Sequence, residues 1–303
     1  MAALEVKNSL LANPLATPEQ LSISSSQLDG VPADLERSII HAGQKLIQYA
    51  GILLRLPQEI ITQAIVIFTR YWVGAEGGSL LDIHGAKDIS AASLYLTTKG
   101  SLSPLSPRSI LTVYAYLSTL PSLFLTPRNL PSAPDPSTYH LTEGDLQRRR
   151  LALFSAESKL LTTLGHHLHV ALPHALALTY LQSLSVLTGF SPQGAAVAKR
   201  AFKHLNSCLF NPQSLYLTQQ PSALATAAIY LAAKEVGVRL PECEWWEVFD
   251  VEREELGFLV VAMVSFKGWV EGERERWGER RVPLTREEIV VEMGRREGGV
   301  EEG

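Results

Sequence analysis

The sequence predicts an all-α protein made of two helical boxes, on three observations. Apolar residues recur at three- and four-residue steps, as in Ile60, Ile61, Ala64, Ile65, Phe68 and Trp72, a stripe that must face a core. Proline stands at the openings of these segments and glycine past their ends, the asymmetry of helix termini. Finally, Ala92–Lys99 (ASLYLTTK) returns as Ala227–Lys234 (AAIYLAAK), 135 residues later. That interval is too long for a solenoid unit and suggests a duplicated domain. Chance similarity between two alanine-rich helices is the bland alternative, and matching helices on both sides speak against it.

In chain order, residues 1–33 form an N-terminal extension. Thr17-Pro18-Glu19-Gln20 carries an N-cap, a proline at N1 and an amide in the first turn, so a short helix starts there, and Ser24-Ser25-Ser26 then breaks the pattern. An amphipathic helix follows from Asp34 to about Ala50. Pro57 opens the next, to Trp72, since proline fits the first helical turn and not the interior. Ile89–Lys99 is apolar nearly all round and predicts a buried central helix closed by Gly100. A further helix spans Pro107–Leu120. Five prolines over 121–142 forbid a regular helix and predict a surface loop or disordered insertion. Glu143–Leu164 reads as a long helix closed by Gly165. The second half repeats the plan over Pro173–Leu187, Pro192–Leu209, Pro221–Val236, a short piece at Trp245–Phe249, and Arg253–Val270. Residues 271–303 carry ten Glu and seven Arg with few apolar residues, the composition of a solvated helix or a disordered tail. The expected organisation is therefore an extension (1–33), a first box (34–168) with its insertion (121–142), a second box (169–270) and a charged tail (271–303).

Composition excludes several kinds of function. Hydrophobic residues make up 46% of 303 and the formal net charge is −4, which argues against direct nucleic-acid binding through positive charge. Cys208 and Cys243 give neither a disulfide framework nor zinc spacing, and predict two buried thiols in a reducing compartment. The longest apolar runs are too short to cross a bilayer and no secretory leader is evident, so a soluble intracellular protein is expected, with no membrane partner. No P-loop, dinucleotide fingerprint, H-E-x-x-H, nucleophile elbow or kinase signature occurs, and the seven Asp are scattered. No cofactor and no catalytic residue is predicted. His166, His167, His169 and His174 cluster without acidic or thiol company, and read as polar residues at a turn between the boxes rather than as a metal site. Lys99, ending a buried helix, suits a helix C-terminus, and Glu157 reads on spacing alone as one more solvated carboxylate.

Two boxes, each centred on an apolar helix ending Tyr-Leu-x-x-Lys, resemble the cyclin family, and within it the L-type cyclins most. The carrying stretches are Leu46–Gln58 (LIQYAGILLRLPQ), His169–Leu184 (HVALPHALALTYLQSL) and Thr226–Leu240 (TAAIYLAAKEVGVRL), over about residues 28–270. The resemblance implies tandem cyclin-fold domains, two stacked five-helix bundles. It also implies a cyclin-dependent Ser/Thr kinase as partner, held by its αC helix, with a role in transcription or pre-mRNA splicing in the nucleus. Carried over by motif, Lys99 and Glu157 would clasp that helix, and Leu96, Leu161 and Leu168 would supply apolar contact. Gly100, Ser101 and Leu102 stand where the family usually has acidic residues, and His166 where an aromatic is common. A cyclin-fold transcription factor or a kinase-independent helical adaptor are the alternative readings.

Overall fold

The computed structural model describes residues 11–120, 139–188, 191–278 and 280–298, and every regular element among them is helical. The described residues divide into two compact units: 17–168 with 268–298, and 11–16 with 169–267. Most of the proline-rich stretch, 121–138, lies outside the described residues.

The first unit opens with α1 (Pro18–Ser22), where Thr17 and Gln20 exchange hydrogen bonds in a capping box. The serine run does not simply break the chain. Ser24 caps a four-residue helix, α2 (Ser25–Leu28), and its hydroxyl and the Gln27 amide both donate to Glu36, at 2.6 and 2.7 Å. Five longer helices follow: α3 (Ala33–Leu53), α4 (Gln58–Tyr71), α5 (Ala86–Lys99), α6 (Pro107–Leu117) and α7 (Glu143–Thr163). Helices α3 and α4 approach closely at Gly43 and Gly51, where a β-carbon would run into the Phe68 ring and the Ile61 side chain. As its all-round apolar pattern predicts, α5 is central, packed by α3, α4, α6 and α7. Ser93 and Thr98 are buried within it at little cost, because each hydroxyl donates to a carbonyl of the preceding turn at 2.8 Å.

The second unit holds α8 (Pro173–Ser183), α9 (Pro192–Cys208), the four-residue α10 (Leu215–Thr218) and α11 (Pro221–Val236). Gly237 closes α11 in the left-handed conformation at φ +79°, a backbone state that costs glycine nothing. Helix α11 repeats the part of α5: it is packed by α8 and α9, and its Ala225, Ala228, Ile229 and Ala232 are buried. A 3₁₀ turn at Glu247–Phe249 stacks Phe249 on Tyr180 with ring centroids 3.8 Å apart. The last helices are α12 (Arg253–Trp277), whose range crosses the division between units, and α13 (Arg286–Gly298).

Three features depart from the sequence reading. Cys208 is buried, its thiol pushed up to about 12 by burial, but Cys243 is exposed, because it lies in the turn between α11 and the 3₁₀ turn. The charged tail is helical and anchored: Trp277, Val282, Leu284 and Ile289 are buried while Arg280 and Arg296 pair outward with Glu292. A few well-spaced apolar residues suffice to dock a segment whose average composition is that of a solvated one. Residues 11–16 of the extension belong to the second unit, where the Asn13 side chain exchanges hydrogen bonds with the Ala171 backbone at 2.8 and 2.9 Å.

Candidate functional site

Helices α5 and α7 pack against each other and bring the two predicted charges together. Lys99 sits in the last turn of α5, where a cation complements the helix dipole. Glu157 lies midway along α7, on the flank of the buried Leu153, Ala156 and Leu160. Lys99 Nζ donates to Glu157 Oε1 at 2.5 Å. The pair is lopsided: the lysine side chain is 45% exposed and the glutamate side chain 11%. Glu157 is therefore not the solvated carboxylate its spacing suggested. It is a nearly buried anion whose recorded cationic partner reaches in from the surface.

Aromatic groups extend this pair into a row. Lys99 Nζ stands 4.4 Å from the centroid of the Tyr95 ring, one turn earlier on α5. Tyr95 in turn lies 6.1 Å from Phe154 on α7, with the planes tilted by 35°. The Arg150 guanidinium covers Phe154 at 5.4 Å. Tyr95 and Phe154 were not singled out from the sequence. Their signal was helical register, with Tyr95 four residues before Lys99 and Phe154 three before Glu157. Of the apolar candidates, Leu96 and Leu161 are half-buried on α5 and α7, on the same two helices as the pair. Leu168 is half-buried too, past a turn in which Gly165 and His166 both take positive φ, +55° and +61°. The His166 N–H closes that turn on the Leu161 carbonyl at 3.0 Å. At the other end, Gly100, Ser101 and Leu102 leave α5 with Leu102 fully exposed.

Among the described residues, no three His, Cys, Asp or Glu side chains are grouped so as to hold a metal ion. Within the first unit, His166 and His167 are exposed on the turn after α7. Within the second, His174 is committed to Asn206 at 3.0 Å. Burial pushes its imidazole below the ordinary value, against the opposing effect of that hydrogen bond. No helix among the described residues is long and apolar enough to cross a membrane.

No family model matches the chain. Human Cyclin-L2 is 26% identical over 293 residues, 96% of this chain and 50% of the relative. Human Cyclin-L1 is 28% identical over 243 residues, 80% of this chain and 42% of the relative, and zebrafish (Danio rerio) Cyclin-L1 is 28% identical over 245 residues. The chain thus spans half or less of the length of these relatives. Among solved structures, a chain of the yeast RNA Pol II CTD kinase CTDK-1 complex superposes with a TM-score of 0.64 at 12% identity, covering 93% of this chain and 82% of that one. A chain of the CAK complex from Chaetomium thermophilum bound to ATP-γ-S gives 0.53 at 16% identity, covering 89% and 80%. Sequence relatives and fold agree: the chain is similar to the L-type cyclins, and its fold is that of chains in solved kinase complexes.

Proposed function

We propose that this chain is the regulatory subunit of a cyclin-dependent Ser/Thr kinase acting in RNA polymerase II transcription or pre-mRNA splicing, and that it works in the nucleus. The cyclin boxes are residues 34–168 and 169–270, and the first of them carries the kinase contact. The observation that carries the reading is the Lys99–Glu157 pair, set at the meeting of α5 and α7 with its lysine half open to a partner. The kinase's regulatory αC helix lies against Lys99 and Glu157, with Leu96, Leu161 and Leu168 as the apolar part of the contact. Phosphoryl transfer in a kinase needs its αC glutamate turned inward to meet the β3 lysine. A subunit that binds only the inward state raises the population of active kinase without contributing a catalytic group.

The test separates docking from folding. The kinase is first identified by mass spectrometry of what co-purifies at native abundance, and then rebuilt with purified chain. Lys99→Glu and Glu157→Lys each weaken kinase binding and activation. The double exchange, Lys99→Glu with Glu157→Lys, restores an internal ion pair of reversed polarity, so melting recovers while kinase binding does not. Wild-type binding by the double exchange would overturn the site. Co-purification with no kinase at all would favour an adaptor, a reading that the exposed Gly100 and Leu102 also suit.

A further inference from the structure

Away from the α5–α7 pair, three helices of the first unit leave a cavity of about 60 Å³ between them. One water occupies about 30 Å³ in the liquid, so the space is of small-oxyanion size. Lys87 and Asp88 reach it from the first turn of α5, Leu111 and Tyr114 from α6, and Arg149 and Leu153 from α7. Both cations are half-buried, yet among the described residues neither has a carboxylate within 4.0 Å. The neighbouring cations behave otherwise: Arg148 pairs with Asp145, Arg108 with Glu143 and Lys159 with Asp82. Partly buried cations without a direct ion pair are uncommon; here Asp88 acts on both, and Glu288 on Lys87, only from further off.

Two further features mark the cavity. The Tyr114 hydroxyl is fully buried, lies near Ser90, and makes no hydrogen bond of ordinary geometry, while the Ser90 hydroxyl donates to the Lys87 carbonyl. Burial and the charges of Arg149 and Arg281 press the Lys87 ammonium below its ordinary value, with Asp88 and Glu288 acting the other way. An anion placed here would relieve that pressure and give Tyr114 an acceptor.

We propose that this cavity is a binding site for hydrogenphosphate, gripped by Lys87 and Arg149, with the Tyr114 hydroxyl as third donor and Asp88 accepting the P–OH proton. A tetrahedral oxyanion offers several acceptors to donors converging from three helices, and the guanidinium fork engages two of them at once. Asp88 makes the site selective. A carboxylate repels a fully deprotonated oxyanion and welcomes one that still carries a proton, so phosphate is taken in preference to sulfate. The site is independent of the kinase contact and stands or falls without it.

Calorimetric titration of the whole chain with sodium phosphate, against sodium sulfate and sodium chloride of equal ionic strength, tests this directly. Saturable phosphate binding is expected, weakened about tenfold or more in Arg149→Gln and in Lys87→Gln. Tyr114→Phe, which keeps the ring and removes only the hydroxyl, weakens it less. Asp88→Asn is the variant that a merely structural role would not explain, since it should narrow the preference for phosphate over sulfate. Absence of saturable binding to wild type, equal binding of sulfate, or binding unchanged in folded Arg149→Gln would each overturn the assignment.

Discussion

The lopsided burial of the Lys99–Glu157 pair makes its two halves unequal in energy, and the inequality can be measured. Replacing Lys99 by methionine leaves a carboxylate that is 8% exposed without its cation, and among the described residues no other donor to that side chain is recorded. Stranding a buried acceptor costs about 1–3 kcal/mol. Replacing Glu157 by glutamine leaves an ammonium that is already half in water and turns outward, so the loss is about 0–1 kcal/mol, as for an exposed ion pair. In a unit of this size each kcal/mol moves the melting temperature by about 2–4 °C. Thermal unfolding followed by circular dichroism at neutral pH should therefore place Lys99→Met about 2–12 °C below wild type and Glu157→Gln within about 4 °C of it. The double variant has no stranded charge and should melt above Lys99→Met alone. If Glu157→Gln proved the more damaging, or the two losses simply added, the pair would not be the surface-capped buried anion described above.

Three other expectations follow from packing and charge. Gly43→Ala drives a methyl into the fully buried Phe68 ring and should destabilise by about 1–3 kcal/mol in urea unfolding, whereas Gly144→Ala, with open space around it in α7, should stabilise by about 0.5–1 kcal/mol. Burial works to raise the Asp34 carboxyl, but the hydrogen bond and charge of Arg296 and the charge of Arg276 together hold it below its ordinary 3.8. Its contribution is thus present above pH 3.8 and lost as the pH falls through its lower folded value, so the melting difference between wild type and Asp34→Asn should close in acid below pH 3.8 and be unchanged between pH 5 and 7. Iodoacetamide should label Cys243 in the folded chain and Cys208 only after unfolding, read by mass spectrometry, because only Cys243 is exposed and the Cys208 thiol is held protonated by burial.

The sequence made helices legible where they carry a periodic apolar face or a proline at their start. Helices α4, α5, α9 and α11 lie within a few residues of their predicted bounds for that reason. The pair of Lys99 with Glu157 was legible only through family resemblance, because nothing in a 58-residue separation says that two side chains meet. What sequence periodicity could not reach were contacts made by isolated residues. Trp277, Leu284 and Ile289 are diluted among charges, and averaging over the segment hides them. Asn13 has no apolar pattern at all, yet its amide and backbone satisfy Ala171 and Gln220. The buried Glu157 misled in the opposite direction, since a glutamate on a long polar helix is ordinarily wet.

Each unit is completed by a strand of sequence from the far end of the chain. The Lys87 N–H at the head of α5 donates to the Leu284 carbonyl, and Asp34 is bound by Arg276 and Arg296, so the first unit is unfinished until those late residues exist. The second borrows Asn13 and the Ala16 N–H, made long before the rest of it. During synthesis the first 168 residues emerge with the seats for Leu284 and Ile289 still bare, and proteins normally fold as their domains leave the ribosome. Here the first half waits for the last residues while the second finds its borrowed segment already made, and a shortened version cut between the two would expose apolar surface on the first piece and lose a hydrogen-bonded latch from the second.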